Sequence, residues 1–219
     1  MLSPDILLVH GAFHGSWCWE AVIEDLEHLG RTAHVVDLPS AGSPAGLHED
    51  AEAVRHAITA VGRPVAVVAH SYGGFPVTEA TAGALNVTRL VFLAAWMLEP
   101  GTSISEVADL PPLDADLVPP PADAAELFYG DVDPEVAARA VVRLRPQSAR
   151  SATDRLRAAG WLTIPSTYVV CDHDKTMPPS LQGEMATRAS VVHHLPTSHS
   201  PFLAAPGPLA ELLHQSTKV

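Results

Sequence analysis

Lysine is almost missing from this 219-residue sequence, which has it only at Lys175 and Lys218. Lysine and arginine together number 13 against 25 acidic residues, so the formal net charge is −12. Nucleic acids and anionic membrane surfaces are bound through clustered basic side chains, and this charge balance argues against both. We therefore expect a small-molecule substrate and neither a nucleic acid nor a membrane as partner; the sequence leaves a homodimer open.

Cysteines and long apolar runs are scarce as well. Cys18 and Cys171 stand far apart inside apolar stretches, which predicts reduced packing residues and no disulfide. No stretch approaches the roughly 20 apolar residues of a membrane span, and the first residues lack the basic region of a secretory signal. We expect a cytoplasmic protein, with residues 1–219 forming a single domain around one core.

Short apolar runs alternate with segments of helical spacing along the chain. Strands are predicted at 6–10, 32–36, 64–69, 88–94, 166–171 and 190–195, and helices at 19–29, 49–61, 75–84, 181–188 and 208–215. This alternation predicts the α/β class, with a mostly parallel, doubly wound sheet covered on both faces. Ligands of such sheets bind beyond the carboxyl ends of the strands.

Residues 98–161 interrupt the alternation. No strand is evident there, and the stretch from Asp109 to Asp123 is too rich in proline for a regular element. Further on, Asp133 and Pro134 are typical of an N-cap and a first helical position, and that helix must end before Pro146. We interpret this segment as a small inserted helical cap.

A serine stands at the corner between a predicted strand and a predicted helix, in the stretch "VVAHSYGG". Ala69 to Gly73 match the G-x-S-x-G nucleophile elbow, with alanine in place of the first glycine. Ser71 is therefore either a turn residue or a nucleophile. Its place at a helix N-terminus, where N–H groups are free, favours a site at which negative charge develops.

The loop after the first strand, "HGAFHGS", could face this serine. Its backbone N–H at Ala12, together with that of Tyr72, would form a two-donor oxyanion hole. A base and an acid follow later in the chain, since His199 and Asp174 both come just after predicted strands. The order serine, aspartate, histidine is that of the α/β-hydrolase fold.

The motifs "HGAFHGSWCW", "AHSYGG", "YVVCDHDKTMPP" and "SHSPFLAAP" resemble, in order, those of the α/β-hydrolase superfamily over nearly the whole chain. The sequence is most similar to the group of plant methylesterases and hydroxynitrile lyases and its bacterial relatives. The resemblance implies Ser71 as nucleophile, His199 as base and Asp174 as acid, with oxyanion donors at Ala12 and Tyr72.

The chain also departs from that group. Its lyases have a hydroxyl residue where Gly11 stands and a lysine where Ser200 stands, whereas Gly11 matches the esterases. The methylesterases usually have methionine at the position of Ser200, and the cap is shorter than in the plant enzymes. The departures count against cyanohydrin cleavage and leave the substrate unassigned.

We predict a serine hydrolase that cleaves a small, largely apolar carboxylic ester, thioester or lactone without a cofactor. There are two alternatives: a lyase or cyclase that uses His199 as its base, and a non-catalytic binding protein.

Asp172 and Glu99 are alternatives to Asp174 as the acid that orients His199. The scattered histidines do not predict a metal site. The residues predicted to contact substrate follow strand ends or lie in the cap: Gly11, Phe13, His14, Trp96, Met97, Phe128 and Tyr129.

Overall fold

A computed structural model of the chain describes residues 3–112 and 115–218. Its strands are β1 Asp5–Val9, β2 Ala33–Val36, β3 Val65–His70, β4 Val87–Leu93, β5 Leu117–Val118, β6 Gln147–Ser148, β7 Ser166–Cys171 and β8 Val191–Leu195. The helices are α1 Glu20–His28, α2 Leu47–Val61, α3 Gly74–Ala80, α4 Ile104–Val107, α5 Ala124–Tyr129, α6 Pro134–Val141, α7 Arg150–Thr153, α8 Pro179–Ala186, α9 Pro201–Ala204 and α10 Pro206–Ser216.

Six strands form one parallel sheet in the order β2-β1-β3-β4-β7-β8. Alternate side chains of β1 point to opposite faces. Leu7 and Val9 belong to a core shared with α2, α3 and α8, whereas Ile6 and Leu8 belong to a core shared with α1 and α10. The predicted fold class, a parallel sheet wound on both faces, is thus confirmed.

The six predicted strands all form and differ from the observed ones by at most one residue at either end. The helix predicted at 75–84 ends earlier, at Ala80, because the chain turns at Thr81 and passes through Gly83 with φ of 77°. Cys18 and Cys171 are both buried free thiols, as predicted.

Residues 98–161 contain a small sheet that the sequence did not predict. Leu117–Val118 pairs antiparallel with Gln147–Ser148. The sequence could not reveal these strands because two residues are too few to show an alternation of apolar and polar side chains. The one helix predicted within this segment forms as α6, with Pro134 at its first position, and the short helices α4, α5 and α7 were not predicted. Residues 113 and 114 of the proline-rich stretch lie outside the described residues.

Within residues 3–112 and 115–218, no helix combines the length and the apolar character needed to span a bilayer.

The start of α6 provides a test of this local structure. The Asp133 carboxylate accepts hydrogen bonds from the N–H groups of Glu135 at 2.9 Å and Val136 at 3.2 Å. We expect Asp133→Ala to lower the free energy of unfolding by about 1 kcal/mol, measured by urea denaturation, because these N–H groups lose their partner.

Asp123 is the matched control for that substitution. It precedes α5 in the same way, yet its side chain makes no capping hydrogen bond. Asp123→Ala should therefore change stability by less than about 0.5 kcal/mol. Equal losses in the two variants would contradict the capping role of Asp133.

Candidate active site

Ser71 lies at the turn between β3 and α3 in a left-handed conformation, with φ of 51°. Such a conformation is rare for a residue with a side chain and costs about 1 kcal/mol or more. It persists because two glycines allow a very tight turn: a Cβ at Gly73 would collide with the carbonyl oxygen of His10, and one at Gly74 with that of Trp96. The turn presents the serine hydroxyl at the carboxyl edge of the sheet.

A continuous chain of hydrogen bonds reaches Ser71 from Asp174. His199 Nδ1 donates to Asp174 Oδ2 at 2.7 Å, and His199 Nε2 lies 3.0 Å from Ser71 Oγ. Because Nδ1 carries the proton toward the carboxylate, Nε2 is free to accept from the serine hydroxyl. All three side chains are buried, with Ser71 at 9% exposure as the most accessible of them.

Asp174 is fixed by a dense set of donors in the turn after β7. Its Oδ1 accepts the N–H groups of Thr176 at 2.7 Å and Met177 at 2.9 Å, and its Oδ2 also accepts from Gln182 Nε2 at 3.1 Å. Four hydrogen bonds to one carboxylate leave it little freedom to rotate. The carboxylate is therefore held in the plane that His199 needs.

His199 is held through its backbone. His70, the residue before Ser71, donates from Nε2 to the carbonyl oxygen of His199 at 2.8 Å. From the other side, Asp131 Oδ2 accepts the N–H of Ser198 at 2.7 Å, and a second Asp131 oxygen accepts the Ser198 hydroxyl. Neither His70 nor Asp131 stood out in the sequence as a neighbour of His199.

The two predicted oxyanion donors belong to two different loops beside Ser71. Tyr72 is in the first turn of a short 3-10 helix, Ser71–Gly73, where N–H groups have no partner within the helix. Ala12 is in the loop after β1, and its N–H bonds to no other described residue. Both residues line the same cavity as Ser71.

The Tyr72 side chain turns away into the protein. Its hydroxyl donates to Asp50 Oδ2 at 2.5 Å, and Asp50 is fully buried. Burial raises the pKa of Asp50 from 3.8 to about 6, against the opposing effect of hydrogen bonds from Ser40 and Tyr72. Tyr72 thus contributes its backbone to the site and its phenol to a buried polar network.

Two histidines near Ser71 are held uncharged. Burial lowers the pKa of His10 to about 4 and that of His14 to about 3. His14 donates from Nδ1 to the carbonyl oxygen of Ala12 at 2.8 Å and accepts the Tyr129 hydroxyl on Nε2 at 2.8 Å. With both nitrogens bonded, His14 supports the loop and does not exchange protons near neutral pH.

A cavity of about 550 Å³ opens at Ser71 and His199. Of the residues predicted to contact substrate, Phe13, His14, Trp96 and Phe128 line it. The remaining three do not reach the described wall. Gly11 packs against Ser71, since an added Cβ would be 2.9 Å from Ser71 Cβ. Met97 is fully buried in the core. The Tyr129 hydroxyl is hydrogen-bonded to His14.

The Alpha/beta hydrolase family matches this chain over residues 6–212, nearly its whole length. The chain belongs to the alpha/beta hydrolase family. The resemblance read from the sequence is thereby confirmed.

Individual relatives of this alpha/beta hydrolase include esterases. Alpha/beta hydrolase nvfD of Aspergillus novofumigatus is 28% identical, covering 99% of this chain and 97% of the relative. Methyl jasmonate esterase 1 of Vitis vinifera is 27% identical, covering 80% and 81%. The crystal structure of the methylesterase MES16 from Arabidopsis superposes with a TM-score of 0.83 at 25% identity, covering 97% of this chain and 98% of that one.

The competing acids of this alpha/beta hydrolase lie elsewhere. Asp172 accepts from His194 Nδ1 at 2.7 Å, so it pairs with an exposed histidine of β8. Glu99 is half-exposed and lies 3.4 Å from Arg188 Nε. Within residues 3–112 and 115–218, no three side chains of the metal-binding types gather into a candidate metal site.

Sequence reasoning missed much of the cavity wall. It did not name the cap residues Ile104, Ala108, Leu110, Val118, Gln147, Ser148, Ser151 and Ala152, or Thr176, Met177 and Leu181 beyond β7. The cap residues come from short elements separated by irregular chain, so no periodic pattern marks them. Thr176 and Met177 follow Asp174 by two and three positions, and this closeness in sequence was the available signal.

The close approach at Gly74 gives a testable consequence. An added Cβ there would lie 3.0 Å from Ala95 Cβ and closer still to the Trp96 carbonyl oxygen, neither of which can move freely. We expect Gly74→Ala to lower the free energy of unfolding by about 1–3 kcal/mol, measured by urea denaturation, even though alanine favours helices.

Gly183, inside α8, is the control because nothing lies within 4 Å of an added Cβ there. Gly183→Ala should be neutral or stabilising by up to about 1 kcal/mol. A Gly74→Ala protein as stable as Gly183→Ala would show that the turn is looser than described.

Proposed function

We propose that this alpha/beta hydrolase is a serine esterase in which Ser71, His199 and Asp174 form a catalytic triad. The observation that carries the proposal is a pair of hydrogen bonds: His199 Nδ1 donates to Asp174 Oδ2, and His199 Nε2 accepts from Ser71 Oγ. Nucleophile and base within hydrogen-bonding reach, with the base oriented by a third group, is the geometry of an activated serine.

The reaction would proceed through an acyl-enzyme. Ser71 Oγ attacks the acyl carbon while His199 Nε2 takes its proton, and Asp174 stabilises the imidazolium that forms. The N–H groups of Ala12 and Tyr72 donate to the developing oxyanion. His199 then returns the proton to the leaving alcohol, and the same base activates the water that releases the acid.

The cavity supports an uncharged, largely apolar carboxylic ester, thioester or lactone as substrate. Phe13, Trp96 and Phe128 form part of its wall, and no lysine or arginine is found among its described lining residues. An anionic substrate would lose its hydration there without gaining a counter-ion. A relative named methyl jasmonate esterase is consistent with ester cleavage, although substrate choice depends on the cap.

The close packing around Gly11 argues against the lyase alternative. Hydroxynitrile lyases of the resembling group would need a hydroxyl side chain there, but a Cβ would be 2.9 Å from both His70 Nδ1 and Ser71 Cβ. The space that such a residue requires is already filled.

Substitution of the serine tests the triad. We expect wild-type protein to form a single covalent adduct with a small fluorophosphonate, detected by intact-protein mass spectrometry, and Ser71→Ala to form none. Esterase activity of Ser71→Ala should fall about 10⁴-fold or more. Ser180→Ala, an exposed serine on α8, should leave both readouts unchanged.

Activity that survives Ser71→Ala but not His199→Ala would overturn the acyl-enzyme and favour the lyase or cyclase alternative. Well-folded wild-type protein without adduct or turnover would favour a binding protein.

Substrate charge is tested with two esters of similar length. We expect p-nitrophenyl butyrate to be hydrolysed with a kcat/KM at least about 10² higher than p-nitrophenyl hemisuccinate, because the second buries a carboxylate in an apolar cavity. Rates should be compared at pH 8 after correction for spontaneous hydrolysis. Equal values would show that the acyl group does not enter the described cavity.

A further inference from the structure

Phe13, which directly follows Ala12, has a strained backbone that other residues hold in place. Its φ is 65°, in the left-handed region that residues with side chains rarely adopt. Both of its backbone polar groups are bonded to one short segment: Arg145 N–H donates to the Phe13 carbonyl oxygen at 2.8 Å, and the Phe13 N–H donates to Gln147 Oε1 at 3.0 Å. The loop carrying Ala12 is therefore held by the stretch from Arg145 to Gln147.

Gln147 continues inward through a chain of buried hydrogen bonds. Its Nε2 donates to Ser40 Oγ at 2.7 Å, and the Ser40 hydroxyl donates to Asp50 Oδ2. The Ser40 N–H also donates to Asp50 Oδ1, at 2.9 Å, and the Tyr72 hydroxyl donates to Asp50 Oδ2 at 2.5 Å. We refer to Gln147, Ser40 and Asp50 as the relay.

The direction of every hydrogen bond in the relay is determined. A backbone N–H can only donate, so Gln147 must turn its oxygen toward Phe13 and its amino group toward Ser40. Ser40 Oγ then accepts from Gln147 and must donate to Asp50. Each relay residue is at most 5% exposed, so water cannot readily replace a lost partner.

We propose that the relay positions the oxyanion hole, with Gln147 as a positioning residue that acts through Phe13 on Ala12 and through Ser40 and Asp50 on Tyr72. This rests on the proposed esterase function. The relay connects Phe13, the neighbour of the proposed donor Ala12, with Tyr72, the other proposed donor, although the two come from different loops. Oxyanion donors act only at about 2.7–3.1 Å from the anion, and a displacement near 1 Å can cost up to about 10²-fold in rate.

Through Gln147, the segment 98–161 takes part in this positioning. Gln147 belongs to β6 and also lines the cavity, so one side chain contacts both the substrate space and the loop of Ala12. Displacement of the stretch from Arg145 to Gln147 would release both backbone groups of Phe13 at once. The cap segment would thereby affect the transition state as well as substrate choice.

Gln147→Leu is the principal test because it keeps the side-chain size and removes both hydrogen bonds. We expect kcat for p-nitrophenyl butyrate to fall about 10- to 100-fold with KM changed less than about 3-fold. The affinity for a trifluoromethyl ketone, which forms a tetrahedral anion on Ser71, should fall by the same factor as kcat/KM. Gln215→Leu, the same change on the exposed side of α10, should alter neither value.

Two milder variants keep the proposal testable if Gln147→Leu does not fold, as judged by circular dichroism. Ser40→Ala interrupts the relay but keeps the backbone bond from Ser40 to Asp50, and Tyr72→Phe removes only the terminal hydroxyl. Both should lower kcat about 3- to 30-fold, again with a matching loss of ketone affinity.

The outcomes separate the relay from the proposed function. If fluorophosphonate labels wild-type Ser71 and the folded relay variants keep kcat and ketone affinity within 2-fold, the relay is wrong and the esterase stands. A rise in KM alone would show that Gln147 is only part of the cavity wall, which also overturns the relay. If wild-type Ser71 is not labelled, the esterase function and the relay fail together.

Discussion

The structure depends on one tight turn, in which Ser71 is held at φ of 51° between β3 and α3. The strain persists because the turn is packed from two sides, against the His10 and Trp96 carbonyl oxygens, at glycines that have no side chain to collide with them. A looser turn would place the hydroxyl elsewhere, and the hydrogen bond to His199 would be lost. Strain of this kind is typical of sites where geometry matters more than stability.

Around that turn, the parallel sheet brings together residues that are distant in sequence. The carboxyl ends of β1, β3, β7 and β8 lie along one edge, so Ala12, Ser71, Asp174 and His199 meet there. Burial and hydrogen bonding then give the four histidines near the site different roles. His10, His14 and His70 are kept uncharged by burial, whereas His199 alone among these four contacts a buried carboxylate.

The segment between β4 and β7 is more than a cover for the cavity. Asp131 holds the backbone before His199, Lys175 beside Asp174 pairs with Glu126 of α5 at 2.8 Å, and Gln147 holds the loop of Ala12. His199, Asp174 and Ala12 thus each have a neighbouring residue that is bonded to this segment. The segment forms part of the cavity wall and also holds neighbours of the proposed catalytic residues. The shape of the substrate space is therefore linked to the geometry of the site.

The sequence by itself determined the sheet and the candidate site residues at its edge. Apolar runs of five to seven residues, separated by helical spacing, placed all six strands within one residue, because buried parallel strands need apolar residues on both faces. Ser71, Asp174 and His199 could be named because each follows such a run, within a motif of known order. The choice of Asp174 over Asp172 came from the motif alone, and the hydrogen bond to His199 Nδ1 agrees with it.

Only the tertiary structure decided the rest. Gln147, Asp131 and His70 act through single hydrogen bonds to backbone atoms 67 to 134 positions away, and no local pattern records such a contact. Met97 and Tyr129 looked like cavity residues because they are large and apolar or aromatic, but packing directed them into the core and toward His14. Hydrophobic periodicity reports which face of an element is buried. It does not report which distant backbone group a polar side chain will find, because that depends on how the elements pack.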